Sequence, residues 1–133
     1  MKLGFAGTRK GMSVAQRRNL AIVLSWFRGG GREFHSGGSG DSDIEAQRMA
    51  HAAGYHVHVH PCPGVTAEGS PPDYYWHEVF PPLVRDRHIA EACYVLVAAP
   101  LRDKEQLRSG TWATVRYARE AEKPVIMLPR GRQ

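Results

Sequence analysis

Residues Tyr94 to Ala99 are apolar without a break. A strand with one wet face would alternate polar and apolar side chains. An unbroken run of this length reads as a strand buried on both faces, the usual state in a parallel sheet. Such a sheet needs helical crossovers, so this short stretch already favours an α/β chain. The residues just beyond it strengthen the reading. A charged loop, Pro100 to Ser109, leads to Arg108-Ser109-Gly110-Thr111-Trp112 and a helix-like segment, Trp112 to Glu122. The first N–H groups of a helix lack internal partners, and the helix dipole places partial positive charge there. Strand, small-residue loop and helix together make a phosphate-binding arrangement. Gly110 permits close approach to the backbone, and the Ser109 and Thr111 hydroxyls can bond an anion.

The rest of the chain repeats this alternation. Lys2 to Ala6 is a short apolar strand that enters Gly7-Thr8-Arg9-Lys10-Gly11. Ser13 and Gln16 form a capping-box pair ahead of a helix whose core face is Leu20, Val23, Leu24 and Phe27. Gly29-Gly30-Gly31 ends that helix. Glu33 to Ser36 is a second strand, followed by Gly37-Gly38-Ser39-Gly40-Asp41-Ser42-Asp43. Ser42 with Glu45 matches a second capping box, so a helix is expected over Asp43 to Ala53. Tyr55 to His60 reads as a third strand, and Leu83 to Cys93 as a third helix. Lys123-Pro124 stops the last helix, and Val125 to Leu128 is a fifth strand. Only Arg130 to Gln133 looks loose. The expectation is one domain, residues 1–133, with a doubly wound, parallel, five-stranded sheet in the order 3-2-1-4-5. In that order the loops after strands one and four meet at the switch point, where ligands bind, with the loop after strand two beside them.

Charge and cysteine content narrow the partners. A net charge of +5 favours an anionic partner without choosing between a nucleotide and nucleic acid. There is no Lys/Arg run, and no apolar run approaches the roughly 20 residues of a membrane span. Cys62 and Cys93 do not make a disulfide scaffold, which favours a reduced, cytoplasmic setting. His56, His58 and His60 point to one face of the third strand, with Cys62 nearby. Along one strand they spread over about 13 Å, too far to share one ion, so no metal site is expected.

These motifs in combination resemble the SLOG superfamily, small Rossmann-like proteins related to the "lonely guy" phosphoribohydrolases and to DprA, and most nearly its short bacterial and phage members. The resemblance covers nearly the whole chain. It is carried by Gly7-Thr8-Arg9, by the Gly-rich loop ending in Asp43-x-Glu45-Ala46, by Arg85-x-Arg87-x-Ile89 and by Arg108-Ser109-Gly110-Thr111-Trp112. It implies binding of a nucleotide or nucleotide-derived ligand, often by a homodimer or larger homo-oligomer, with no further cofactor. Two departures bear on activity. Lonely-guy enzymes carry Gly-Thr-x-x-Glu with a catalytic Glu, whereas Gly110-Thr111 is followed three residues on by Thr114, and a hydroxyl cannot replace a carboxylate base. Related chains tend to read Gly-Asp-x-x-Gly-Ala-Asp after strand two. Here Gly38 and Asp41 replace the first Asp and the later Gly, and Asp86 stands where Asn is frequent.

The expected contacts are therefore Ser109, Gly110, Thr111 and Arg108 for phosphate, with Gly7, Thr8 and Arg9 opposite. Gly37, Gly38 and Ser39 lie beside them, Asp43 faces a ribose hydroxyl, and Arg87 reaches in from the third helix. Trp112 is read as core or subunit contact before base stacking. A sensor or binding module ranks first. A nucleoside monophosphate phosphoribohydrolase using a displaced acid (Asp41, Asp43 or Glu45) is the alternative. Single-stranded DNA binding, by analogy with DprA, ranks third, because a basic run with interleaved aromatics is missing.

Overall fold

A computed structural model describes residues 1–131. Ten elements follow in order: β1 (Lys2–Gly7), α1 (Val14–Ser25), β2 (Glu33–Ser36), α2 (Asp41–Ala52), β3 (His56–Val59), β4 (Tyr75–Trp76), α3 (Pro82–Ala92), β5 (Val95–Ala99), α4 (Gly110–Glu120) and β6 (Val125–Met127). All strand pairs are parallel, and the sheet order is β4-β3-β2-β1-β5-β6. The five expected strands keep their expected order. A sixth, two-residue strand from the aromatic segment, Tyr75–Trp76, adds at the edge beside β3, pairing His58 with Tyr75 and Val59 with Trp76. It is too short to show a period of its own, so periodicity could not reveal it.

The central strands divide their side chains between two cores. Leu3, Phe5, Val97 and Ala99 enter a core with Leu20, Val23 and Leu24 of α1 and Ala46 and Ala50 of α2. Leu96 and Ala98 enter the other, with Ile89 and Ala90 of α3 and Trp112, Val115 and Ala118 of α4. This two-sided burial is why Val95 to Ala99 carries no polar alternation, while Tyr94 just before the strand is exposed. Trp112 is core. On the second face Gly4 is needed for space, since a Cβ there would stand 2.9 Å from Cys93 Sγ. Both cysteines are buried and unpaired.

Some helix boundaries differ from the sequence reading. α1 stops at Ser25, ahead of the three glycines. α2 begins at Asp41 with Gly40 as its N-cap, and Ser42 and Glu45 form no capping box. Tertiary contacts claim Glu45, and Ser42 lies inside the helix with its Oγ unpartnered among the described residues. The Glu45 carboxylate accepts from Met12 N–H at 2.9 Å and pairs with Arg17 at 3.1 Å. Ser42 packs where a Cβ on Gly7 would lie 2.6 Å away. Ser13 and Gln16 do form the expected box. α4 begins at Gly110, two residues before the expected Trp112, with Ser109 as its cap.

Gln16 does more than cap. Its Nε2 donates to Pro100 O at 2.8 Å and to Leu128 O at 3.0 Å, joining the start of α1 to the ends of β5 and β6. Arg130 is tied to the same corner, donating from Nη1 to Gly11 O at 2.7 Å and from its N–H to Asp103 at 2.9 Å. The expectation of a loose end therefore fails at Arg130, and its last two residues lie outside the described ones. Gln16→Leu should cost about 2 kcal/mol, because two buried carbonyls lose their donor while apolar volume is kept. The urea midpoint checks this: a drop with unchanged m-value is expected, and an unchanged midpoint refutes it.

Candidate functional site

The loops after β1, β2 and β5 meet at the C-terminal edge of the sheet. Thr8 N–H donates to Ala99 O at 3.0 Å, fixing the first loop to the end of β5. Asp41 N–H donates to Arg9 O at 3.1 Å, and a Cβ on Gly40 would stand 2.6 Å from Arg9 Cα. The first and second loops thus touch backbone to backbone, which only glycine at position 40 permits. Between the loops and α3 lies a cavity of about 520 Å³. Of the residues expected from sequence, Gly7, Thr8, Arg9, Gly37, Ser39, Asp43, Arg108, Ser109, Gly110 and Thr111 line it.

Two expected residues do not. Gly38 has φ +72°, and a Cβ there would face Gln47, Val59 and Val65. It serves the turn rather than the cavity. Arg87 places its guanidinium 4.3 Å from the Tyr117 ring centroid and does not line the cavity. Arg85 occupies the place proposed for it. Arg85 and Asp86 are buried on the α3 face that carries Ile89 and Ala90. Their offset of four residues from Ile89 and Ala90 is the sequence signal that identifies them.

Arg85 organises the cavity wall. Its Nε donates to Asp86 Oδ1 at 2.7 Å, Nη1 to His60 O at 3.3 Å and Nη2 to Ser39 Oγ at 3.3 Å. The guanidinium lies flat on Gly37, where a Cβ would fall 2.1 Å from Nη1. Gly37 is therefore required for space. Asp43 stands on the neighbouring wall. Its Oδ2 accepts weakly from Ser39 N–H at 3.4 Å, and its buried Oδ1 has no partner among the described residues. Burial raises the Asp43 pKa to about 6, against the opposing pull of Arg85. Burial likewise raises Asp86, again opposed by Arg85.

The anion end is built by α4. Ser109 Oγ accepts from Trp112 N–H at 3.3 Å, so its hydroxyl is used as a cap. The amides of Gly110 and Thr111 open the helix beside the cavity, with exposed Arg9, Lys10 and Arg108 lining it. Thr114 is buried, and its hydroxyl donates to Gly110 O at 2.9 Å, so its proton is committed to the helix. Of the three candidate acids, only Asp43 reaches this cavity. Asp41 and Glu45 line a separate cleft with Lys10, Gly11, Met12, Arg17, Ile44 and Arg48.

No family model matches the chain, and no curated protein matches it in sequence. Solved structures do match in shape. A DNA processing protein A from Helicobacter pylori, described for its single-stranded DNA binding mode, superposes with a TM-score of 0.70 at 19% identity, over 98% of this chain and 66% of that one. The molybdenum cofactor binding protein of Rippkaea orientalis gives 0.68 at 16% identity, over 95% and 74%. The molybdenum cofactor carrier protein of Chlamydomonas reinhardtii gives 0.64 at 24% identity, over 95% and 74%. These neighbours are members of the SLOG superfamily that the sequence motifs resemble, and this chain has their fold.

Proposed function

We propose that this chain, on the fold it shares with those proteins, binds a nucleotide or nucleotide-derived anion in the cavity at the C-terminal edge of its sheet. The observation that carries the reading is the pairing of two unlike ends in one cavity. At one end are the opening amides of α4 with Arg9 and Arg108 nearby. At the other is buried Asp43, whose Oδ1 has no hydrogen-bond partner among the described residues. A phosphate suits the first, and a hydroxyl donor such as that of a ribose suits the second. Two neighbours are named for a bound cofactor and one for single-stranded DNA, which agrees with an anion-binding role for the fold.

Native mass spectrometry of the purified protein, followed by calorimetric titration with the released compound or with AMP, tests the proposal. Gly110→Asp should lower affinity at least about fivefold, since a negative charge about 4 Å from the bound anion costs roughly 1–4 kcal/mol. A Cβ at Gly110 meets nothing closer than Asp86 Oδ2 at 3.6 Å, so the fold should survive. Unchanged affinity would move the anion elsewhere. The hydrolase alternative retains Asp43 as its only reachable acid among the three proposed. Release of adenine from AMP that disappears in Asp43→Ala would replace the binding-module reading.

Self-association is proposed on the exposed Val79, Leu83 and Val84 around the start of α3, of which Leu83 also lines the cavity. Sedimentation equilibrium that returns a monomer at all concentrations would remove it.

A further inference from the structure

On the second face of the sheet, α3 and α4 pack over β1, β5 and β6, and α3 reaches β2. Toward the β4 edge this face carries imidazoles. Parallel register brings His35 of β2 level with His58 of β3, and His58 level with Tyr75 of β4. His60 follows β3, and His77 follows β4. Val57 and Val59 point the other way, into the first core. The ring centroids of His35 and His58 are 4.4 Å apart, those of His60 and His77 4.1 Å, and those of His58 and His77 5.1 Å. One ligand atom from each of His35, His58 and His77 lies within 4.8 Å of the other two.

We propose that His35, His58 and His77, backed by Glu33 and adjoined by His60, form a site for a divalent transition-metal ion of the zinc class. The hydrogen bonds assign the ring nitrogens. Glu33 Oε1 is 2.8 Å from His35 Nε2 and 3.6 Å from His58 Nε2. The carboxylate holds the His35 proton on Nε2 and attracts the Nε2 edge of His58 from further off, which leaves each Nδ1 toward the centre. This is the carboxylate–histidine arrangement that orients metal ligands. His35 Nδ1 then meets His60 Nε2 at 2.8 Å, and His58 Nδ1 meets His77 Nε2 at 2.9 Å. Without metal, each of these pairs shares one proton. With metal, His60 and His77 carry their protons on Nδ1 instead, and all four inward nitrogens offer lone pairs. Neutral rings undergo this change without net proton release.

Zinc–nitrogen bonds of about 2.0–2.1 Å put tetrahedral ligand atoms roughly 3.3 Å apart. The short pairs must open by about half an ångström, and the widest separation among His35, His58 and His77 must close by about 1.5 Å at most, relative to that ideal. Imidazole donors select zinc, cobalt, nickel or copper over magnesium or calcium. Burial favours the neutral rings that coordination needs, holding His35 at about 4 and His60 at about 3, and lowering His58 and His77 as well. Burial alone would raise the Glu33 carboxyl, but the hydrogen bond from His35, together with the nearby imidazoles and Lys2, holds it below its ordinary value. It thus stays ionised as the backing group.

The test uses chain prepared without a polyhistidine tag, stripped with chelator and titrated calorimetrically with zinc chloride. One ion per chain with micromolar or tighter affinity is expected. Replacing zinc with cobalt should give the intense visible bands of tetrahedral nitrogen coordination. His77→Ala should weaken zinc binding at least a hundredfold, and Glu33→Gln about tenfold, the loss typical of an orienting partner. His56→Ala, on an exposed position of the same strand, should leave affinity within twofold. Failure to saturate, weak octahedral cobalt bands from the unaltered chain, or equal affinity in a folded His77→Ala variant would each overturn the site. The cobalt spectrum needs no variant, so a misfolded mutant cannot obscure the answer.

Discussion

Arg85→Ala should destabilise the protein by about 3–5 kcal/mol near pH 7, the usual consequence of stripping one partner from a buried ion pair. The cause is what Arg85 leaves behind. Asp86 loses a 2.7 Å partner, Asp43 loses its main opposing charge, and the His60 carbonyl and Ser39 hydroxyl lose a donor. Burial already raises both carboxyls, and without the guanidinium it raises them further. Both groups then take up protons on folding more readily than in the unfolded chain. The deficit should therefore shrink as pH falls toward 5. Urea unfolding at pH 7 and pH 5 checks both parts. A midpoint equal to that of the unaltered protein at pH 7 would mean that the Arg85 pair contributes nothing net. Arg85→Lys should recover only part of the loss, because a point charge cannot serve Asp86, His60 and Ser39 together.

Asp43→Asn should instead stabilise the ligand-free protein near pH 7, and its sign separates two roles for the residue. Asp43 lies in the first turn of α2, where a negative charge gains up to about 2 kcal/mol from the helix dipole in a buried setting. Against this stands burial, which raises its pKa from 3.8 to about 6. The folded chain then binds its proton more tightly than the unfolded chain. Between roughly pH 4 and pH 6 the folded state holds the extra proton, so stability falls as pH rises through that window. Above it the ionised carboxylate costs about 3 kcal/mol relative to an unperturbed Asp. Asn removes that ionisation, so the variant should gain up to this amount at pH 7 and nothing below about pH 4. Thermal or urea unfolding across pH 4 to 7 reads the difference. A less stable variant at pH 7 would show that Asp43 serves its helix. A more stable variant that also binds ligand more weakly fits a carboxylate kept in place for a ligand, the familiar exchange of stability for function.

The alternation of strands and helices was legible because each signal is local. An unbroken apolar run, a capping pair such as Ser13 and Gln16, and a small-residue turn before a helix all act within a few residues. The order of the five longer strands followed from connection rules. The loops at the sheet edge could then be grouped without coordinates, and the residues of Gly7-Thr8-Arg9 and Arg108 to Thr111 do line one cavity. Local signals misled where a distant partner competed. Ser42 and Glu45 look like a capping box, but Glu45 pairs with Arg17 instead, and Ser42 lies inside α2, packed beside Gly7. Choosing between Arg85 and Arg87 depended on which side of α3 met the sheet, and the periodicity through Ile89 and Ala90 answers that only once the helix start is fixed.

The histidines show the division most plainly. Along one strand, His56, His58 and His60 are too far apart to act together, and that arithmetic is correct. Across neighbouring strands the spacing is only about 4.8 Å, so His35, His58 and His77, separated by up to 42 positions, come within reach of one ion. The sequence alone determined that five strands alternate with four helices, because propensity, capping and periodicity act between near neighbours. The tertiary structure alone decided that Arg85 lies on Gly37, that Asp43 Oδ1 is left without a partner among the described residues, and that four imidazoles gather with two of them beside Glu33. Those facts depend on register and packing between segments far apart in the chain.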